Sequence, residues 1–147
     1  MKSVEELDVF KKAHMLTLEL YKCTATFPSE EKFGLVSQIR RASSSICANL
    51  LEGSHRNNTK EFRQFVGIAN GSVGELKYHI LLSRDLNYIT NDEYKEIIFE
   101  LNNISKMLRG LIKTLSKKLN IHSTTSTNTN TNTNTNTHKK DKKPCAE

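Results

Sequence analysis

Proline is the residue that most limits a helical chain, and this sequence has only two, Pro28 and Pro144. Each removes a backbone donor and blocks the turn before it, so long helices can run uninterrupted between them. The apolar spacing uses that freedom. From Val4 to Thr24, the residues Leu7, Phe10, Ala13, Thr17, Leu20 and Tyr21 recur at steps of three and four, which places them on one helix face. Phe27 and Pro28 end this run. Ser29 then offers a cap, Glu30 and Glu31 sit where the helix dipole favours negative charge, and a second helix is predicted up to Glu52 with Gly53 as its stop.

The second helix carries two stripes. Leu35, Ile39, Ala42, Ile46 and Leu50 form an apolar face for a core, and beside it Gln38, Arg41, Ser45, Asn49 and Glu52 form a polar one. Such a polar stripe either faces solvent or forms a hydrogen-bonded seam; short side chains and amides favour the seam. A third helix is predicted from Asn58 or Thr59, since Glu61 stands at capping-box distance from Asn58, with Phe62, Phe65, Ala69, Val73, Leu76 and Ile80 as its core stripe. Gly67, Gly71 and Gly74 share another face of that helix, where each costs up to about 1 kcal/mol relative to alanine. Either a second helix packs closely on them, or a ligand or neighbouring subunit does. Ser72, Glu75 and His79 add a polar row, in which Glu75 can meet Arg41 across the helix interface as a buried pair.

Thr90-Asn91-Asp92-Glu93 is a capping box for a fourth helix, in which Tyr94, Ile97, Leu101, Ile104, Leu108, Leu111 or Ile112, and Leu115 keep helical spacing to about Leu119. Four helices with short connections predict an all-α, antiparallel up-down four-helix bundle over residues 1–119. From Asn120 the sequence becomes alternating Thr and Asn and closes on HKKDKKPCAE. With almost nothing to bury, residues 120–147 are expected to be a disordered tail with a basic end.

Several functions are disfavoured. The N-terminus lacks a secretory apolar stretch and no window approaches a spanning helix, so a cytoplasmic protein without a membrane role is expected. Cys23, Cys47 and Cys145 are odd in number and far apart, which suits reduced thiols. His14, His55, His79, His122 and His138 are scattered, and no metal site is expected. The helix-three glycines lack the order of a phosphate-binding loop. Ser43, Ser44 and Ser45 lie inside a helix without a nucleophile elbow, and Glu52 and Glu75 sit among Arg and Asn as in a structural network. No catalytic residue, metal or cofactor is expected.

The run from Phe33 to Leu76 carries a resemblance. Its matching pieces are Phe33-Gly34-Leu35, Gln38, Arg40-Arg41-Ala42, Ser45-Ile46, Asn49, Glu52-Gly53, Arg56, Lys60-Glu61-Phe62, Phe65, Ala69, Gly71-Ser72 and Glu75-Leu76. In order and spacing they resemble the four-helix-bundle proteins encoded in intervening sequences of bacterial 23S ribosomal RNA genes, a likeness that extends from Leu7 to about Leu115. The resemblance implies a homopentamer around a central channel. Through a related protein, the accessory variability determinant of diversity-generating retroelements, it also implies binding of nucleic acid and of a reverse transcriptase. Where that family often has Asn-Ile-Ala-Glu-Gly, this chain reads Asn49-Leu50-Leu51-Glu52-Gly53, so Leu51 adds bulk near a subunit contact.

Charge frames two functional expectations. The chain carries 22 Lys and Arg against 16 Asp and Glu, an excess that is mild in one copy and strong when symmetry repeats it. In the first, Arg40, Arg56, Lys60 and Arg63, on and around the loop between helices two and three, meet RNA or DNA phosphates in a non-enzymatic oligomer. The stripe Gln38, Arg41, Ser45, Asn49 and Glu52, with Gly67, Gly71, Gly74 and Glu75, then forms the seam or subunit interface. In the second, the oligomer is a protein scaffold and the basic residues only solvate the surface.

Overall fold

Capping groups decide where the helices begin. The computed structural model describes residues 2–128: a turn of 3-10 helix at Val4–Glu6, α1 (Asp8–Thr24), a second such turn at Ser29–Glu31, α2 (Leu35–Ser54), α3 (Thr59–Asp85) and α4 (Asn91–Asn128). No strand occurs among the described residues. Each helix packs on its neighbour in sequence, and α4 returns to touch α1. The fold is the antiparallel up-down four-helix bundle expected from the sequence.

At α3 the Asn58 Oδ1 accepts the Glu61 N–H at 2.8 Å, and the Asn58 amide donates to the Glu61 carboxylate at 3.0 Å. At α4 the Thr90 Oγ1 accepts the Glu93 N–H at 3.1 Å while the Glu93 carboxylate accepts the Thr90 N–H at 3.1 Å. At α4 both bonds satisfy backbone donors that a helix start leaves open, whereas at α3 one does and the second links the two side chains. The start of α2 departs from expectation. Ser29–Glu31 is a separate turn, and the cap comes from Glu31, whose Oε2 accepts the Leu35 N–H at 2.9 Å. Its Oε1 accepts the Tyr88 hydroxyl at 3.2 Å, which fastens this corner to the α3–α4 loop. Helix one also starts later than Val4, because Leu7 is extended (φ −66°, ψ 136°) and separates Val4–Glu6 from α1.

The core runs the length of the bundle. Leu35, Ile39, Ala42, Ile46 and Leu50 of α2 are all buried, as their spacing required. Leu20, Leu76, Ile80, Leu101, Ile104 and Leu108 join them at under 2 % exposure; burying such a side chain stabilises by roughly 1.5–3 kcal/mol. In α1 the buried face is Val9, Ala13, Leu16, Leu20 and Thr24. The predicted stripe was therefore turned: Phe10 and Thr17 are half-buried and Tyr21 is exposed. Thr17 lies at the rim because its hydroxyl donates to Ala13 O at 2.8 Å and Ser43 O at 3.2 Å. In α3, Phe62 and Phe65 are half-buried, and Val66 supplies the buried position near that end.

Two helix ends differ from the reading of the sequence. α2 passes through Gly53 to Ser54. Gly53 is needed for proximity: a Cβ there would stand 2.5 Å from Phe65 Cβ and 3.0 Å from Phe62 Cδ2. α4 continues past Leu119 to Asn128, so the first part of the expected tail is helical. Thr and Asn are weak helix formers, yet here the Thr124 hydroxyl donates to Asn120 O at 3.0 Å and that of Thr125 to Ile121 O at 2.8 Å. The remainder of the expected tail, with its lysines and Cys145, lies outside the described residues.

Candidate nucleic-acid interface

The polar stripe of α2 divides along its length. Toward its start, Arg41 reaches across to the Glu75 carboxylate of α3 and donates to Gln38 Oε1 at 3.0 Å. His79 Nε2 lies 3.4 Å from the same Glu75 oxygen, while its Nδ1 is buried without a hydrogen-bond partner. The Arg41 side chain is 57% exposed and that of Glu75 39%, so this pair faces solvent rather than being buried as the sequence suggested. Farther along, Ser45 donates to Ala42 O at 2.8 Å and Asn49 to Ser45 O at 2.7 Å, both within the helix. Glu52 pairs with Arg56 at 2.9 Å. The stripe joins α2 to α3 only at Arg41.

Gly67, Gly71 and Gly74 are exposed, and a Cβ built on any of them would meet nothing within 4 Å. Among the described residues no helix packs closely on them, against the expectation that another helix of the bundle would. Ile68 and Tyr78 of α3 are 52% and 60% exposed, and Phe33, just ahead of α2, is 89% exposed.

The four expected basic residues divide into two kinds. Arg40 is occupied: its Nε donates to Thr24 Oγ1 at 3.0 Å, its Nη2 to Tyr21 O at 3.1 Å, and its guanidinium lies 4.6 Å from the Tyr21 ring centroid. It satisfies a carbonyl that the end of α1 leaves open, so part of its guanidinium is committed to the fold. Arg56 pairs with Glu52 and stacks 5.0 Å from the Phe65 ring. Lys60 and Arg63 are exposed and take part in no ion pair among the described residues.

Arg56 also lines a cleft of about 690 Å³ at the end of the bundle where the α2–α3 loop meets the N-terminus and α4. Leu7, Phe62, Leu111 and Leu115 contribute apolar walls, while Lys2, His55, Arg56 and Lys118 bring positive or titratable groups and Glu5 the carboxylate. The Glu5 carboxyl is held below the usual carboxylate range by a hydrogen bond to its own backbone and one to Ser3. Lys60 and Arg63 do not line the cleft.

The basic face of α4 was not among the residues the sequence singled out. Lys106, Arg109, Lys113 and Lys117 step by three, four and four along one exposed face, with Lys118 beside them. No carboxylate occurs between Glu100 and Asp141. That gap is the signal in the sequence, and the whole-chain balance of 22 Lys and Arg against 16 Asp and Glu hides it.

The polar groups otherwise serve the fold. Ser43, Ser44 and Ser45 each donate to the carbonyl three residues back, at 3.1, 3.2 and 2.8 Å. Burial pushes the Cys47 thiol up to about 11, and burial together with Glu93 raises that of Cys23. Among the described residues no group of three or more His, Cys, Asp or Glu could hold a metal ion, and no helix is long and apolar enough to cross a membrane.

Comparison with known proteins agrees with this architecture. A crystal structure of a protein of unknown function from the S23 ribosomal protein family of Bacteroides thetaiotaomicron superposes with a TM-score of 0.64 at 27% identity, covering 71% of this chain and 98% of that one. No curated protein matches the chain. Residues 5–110 match the model of the 23S rRNA-intervening sequence proteins. Over the four helices that build the bundle, the chain belongs to the family of 23S rRNA-intervening sequence proteins.

Proposed function

We propose that this protein is a non-enzymatic homo-oligomer, a pentamer in the arrangement its family resemblance implies, that holds nucleic acid by the phosphate backbone. The observation that carries the reading is the cluster of cations at one end of the bundle, of which only Arg56 has a carboxylate partner among the described residues. Lys60 and Arg63 extend from the start of α3 without ion pairs, and Lys2, Arg56 and Lys118 edge the adjoining cleft. A net charge of +6 per chain, repeated by symmetry, turns a modest patch into a strong field. No element presents a row of base-reading side chains to a groove, which favours backbone over base recognition. The serine hydroxyls are spent on backbone carbonyls and Glu75 on Arg41, which favours a binding role over catalysis.

Exposed Phe33, Ile68 and Tyr78, with the open glycine face of α3, support self-association. The same residues also support the second reading, a scaffold whose partner is a protein such as a reverse transcriptase. Light scattering to fix the oligomer's mass, followed by binding of fluorescent RNA and DNA across a salt series, separates the two. The nucleic-acid reading expects salt-sensitive binding that is lost in a Lys60→Glu, Arg63→Glu variant. A well-folded oligomer that binds neither polymer at low salt would leave the scaffold.

A further inference from the structure

The second half of α4 differs from the other exposed surfaces among the described residues. Its outward face is made of Asn102, Lys106, Arg109, Gly110, Lys113, Thr114, Lys117 and Lys118, with no apolar residue and no carboxylate. None of its five cations takes part in an ion pair, hydrogen bond or ring contact among the described residues. Elsewhere, Arg63 apart, the arginines are engaged: Arg40 on Tyr21, Arg41 on Glu75, Arg56 on Glu52 and Arg84 on Asp85.

Ordinary helix physics does not account for this row. Cations stabilise a helix within its last turn, but Lys106 to Lys118 lie roughly 33 to 15 Å short of Asn128 at 1.5 Å per residue. Surface lysines on helices commonly pair with a carboxylate four residues earlier; here those positions are Asn102, Ser105, Arg109 and Lys113. Arg109–Lys113 and Lys113–Lys117 are like-charge pairs that repel. A Cβ at Gly110 would meet nothing within 4 Å, so the middle of the row is open to close approach.

We propose that Lys106, Arg109, Lys113 and Lys117 form a second, linear track for a nucleic-acid phosphate backbone, running along α4 toward the Lys118 edge of the cleft. This rests on the nucleic-acid reading above and extends it to a surface that contains none of the loop residues. The four cations span about 16 Å. A duplex presents one charge per about 1.7 Å of its axis, so phosphates outnumber the cations along that length and each cation can be neutralised. A phosphodiester chain supplies repeated negative charge in a line, as the row requires.

The test compares the full chain with two variants checked for helicity and mass by circular dichroism and light scattering. One carries Lys106→Gln, Arg109→Gln, Lys113→Gln and Lys117→Gln; the other removes equal charge elsewhere through Lys11→Gln, Lys22→Gln, Lys77→Gln and Lys95→Gln. Probes are single-stranded RNA, duplex RNA, duplex DNA and phosphatidylserine vesicles over a salt series. The track predicts that the wild-type loss of affinity between about 50 and 200 mM salt shrinks by about a hundredfold in the α4 variant, since four released counterions set that slope. The control variant should change far less. Equal losses in both variants would reduce the row to bulk charge and overturn the track. Unchanged binding by the α4 variant, with binding lost through Lys60→Glu and Arg63→Glu, would overturn the track alone. No binding by the wild type would overturn the parent reading and the track together. Vesicle binding lost only in the α4 variant, with nucleic-acid binding intact, would assign the row to a lipid surface.

Discussion

Phe65 stands so near Gly53 that a methyl group on the glycine would lie 2.5 Å from the phenylalanine Cβ. That contact lets the end of α2 close on the start of α3 beside the short polar loop. Gly53→Ala should destabilise the fold by about 1–3 kcal/mol, the usual cost of overfilling a packed site, despite the better helix propensity of alanine. Urea unfolding followed by circular dichroism measures this, and a gain in stability would contradict the packing described.

Gly71 provides the opposite case. Its Cβ would meet open space, so in an isolated subunit Gly71→Ala should stabilise by up to about 1 kcal/mol through helix propensity. If another subunit covers this face, Gly71→Leu should lower the mass seen by light scattering while helicity is retained. Unchanged assembly with Leu would place the interface elsewhere.

Arg41 and Glu75 contribute little to stability as an exposed pair. Arg41→Gln should cost less than about 1 kcal/mol in urea unfolding. A loss of several kcal/mol would show the pair to be shielded in the assembled protein.

The Cys47 thiol is pushed up to about 11 by burial. The thiolate is the reactive form, so in a Cys23→Ser, Cys145→Ser background labelling by iodoacetamide should be slow at pH 8 and rise steeply toward pH 11. The folded state retains this proton more tightly than the unfolded chain does. The resulting stability is present below the ordinary thiol value of about 9 and is lost as pH rises from there toward 11. Fast labelling of the native protein at pH 8 would contradict the burial.

Lys113→Glu replaces two repulsive pairs on α4 with attractive ones to Arg109 and Lys117. Each such pair is worth about 0.2–0.5 kcal/mol, so thermal unfolding should shift upward by a degree or two while affinity for RNA falls. An equal or higher affinity would remove Lys113 from any backbone contact.

The bundle was legible because α2 and α4 repeat apolar residues strictly, and because Asn58–Glu61 and Thr90–Glu93 mark the starts of α3 and α4 in sequence. The phase of α1 was not legible. Thr17 and Tyr21 fit the spacing of Leu20, and only the packing of Leu16 against the core shows which face turns inward. Arg40 reads as a free cation until the end of α1 is brought beside it. The end of α4 was misread for another reason: Thr and Asn lower helix propensity, but their side chains can bond to carbonyls of the preceding turn once a long helix has already formed. The row from Lys106 to Lys117 was readable as a run without carboxylates, and local counting of charge finds what the whole-chain sum obscures.

Asp92, Glu93, Glu96 and Glu100, against the single Lys95, occupy the first part of α4, and Lys106, Arg109, Lys113, Lys117 and Lys118 the second. Opposite charges separated along one rigid rod give α4 a side-chain moment that runs against its peptide dipoles and, being made of whole charges, outweighs them. A polyanion approaching from any side therefore exerts a torque before it makes contact and turns the basic end toward itself. Such orientation acts on the rate of encounter more than on the lifetime of the complex. It fades once the Debye length becomes short compared with α4 itself.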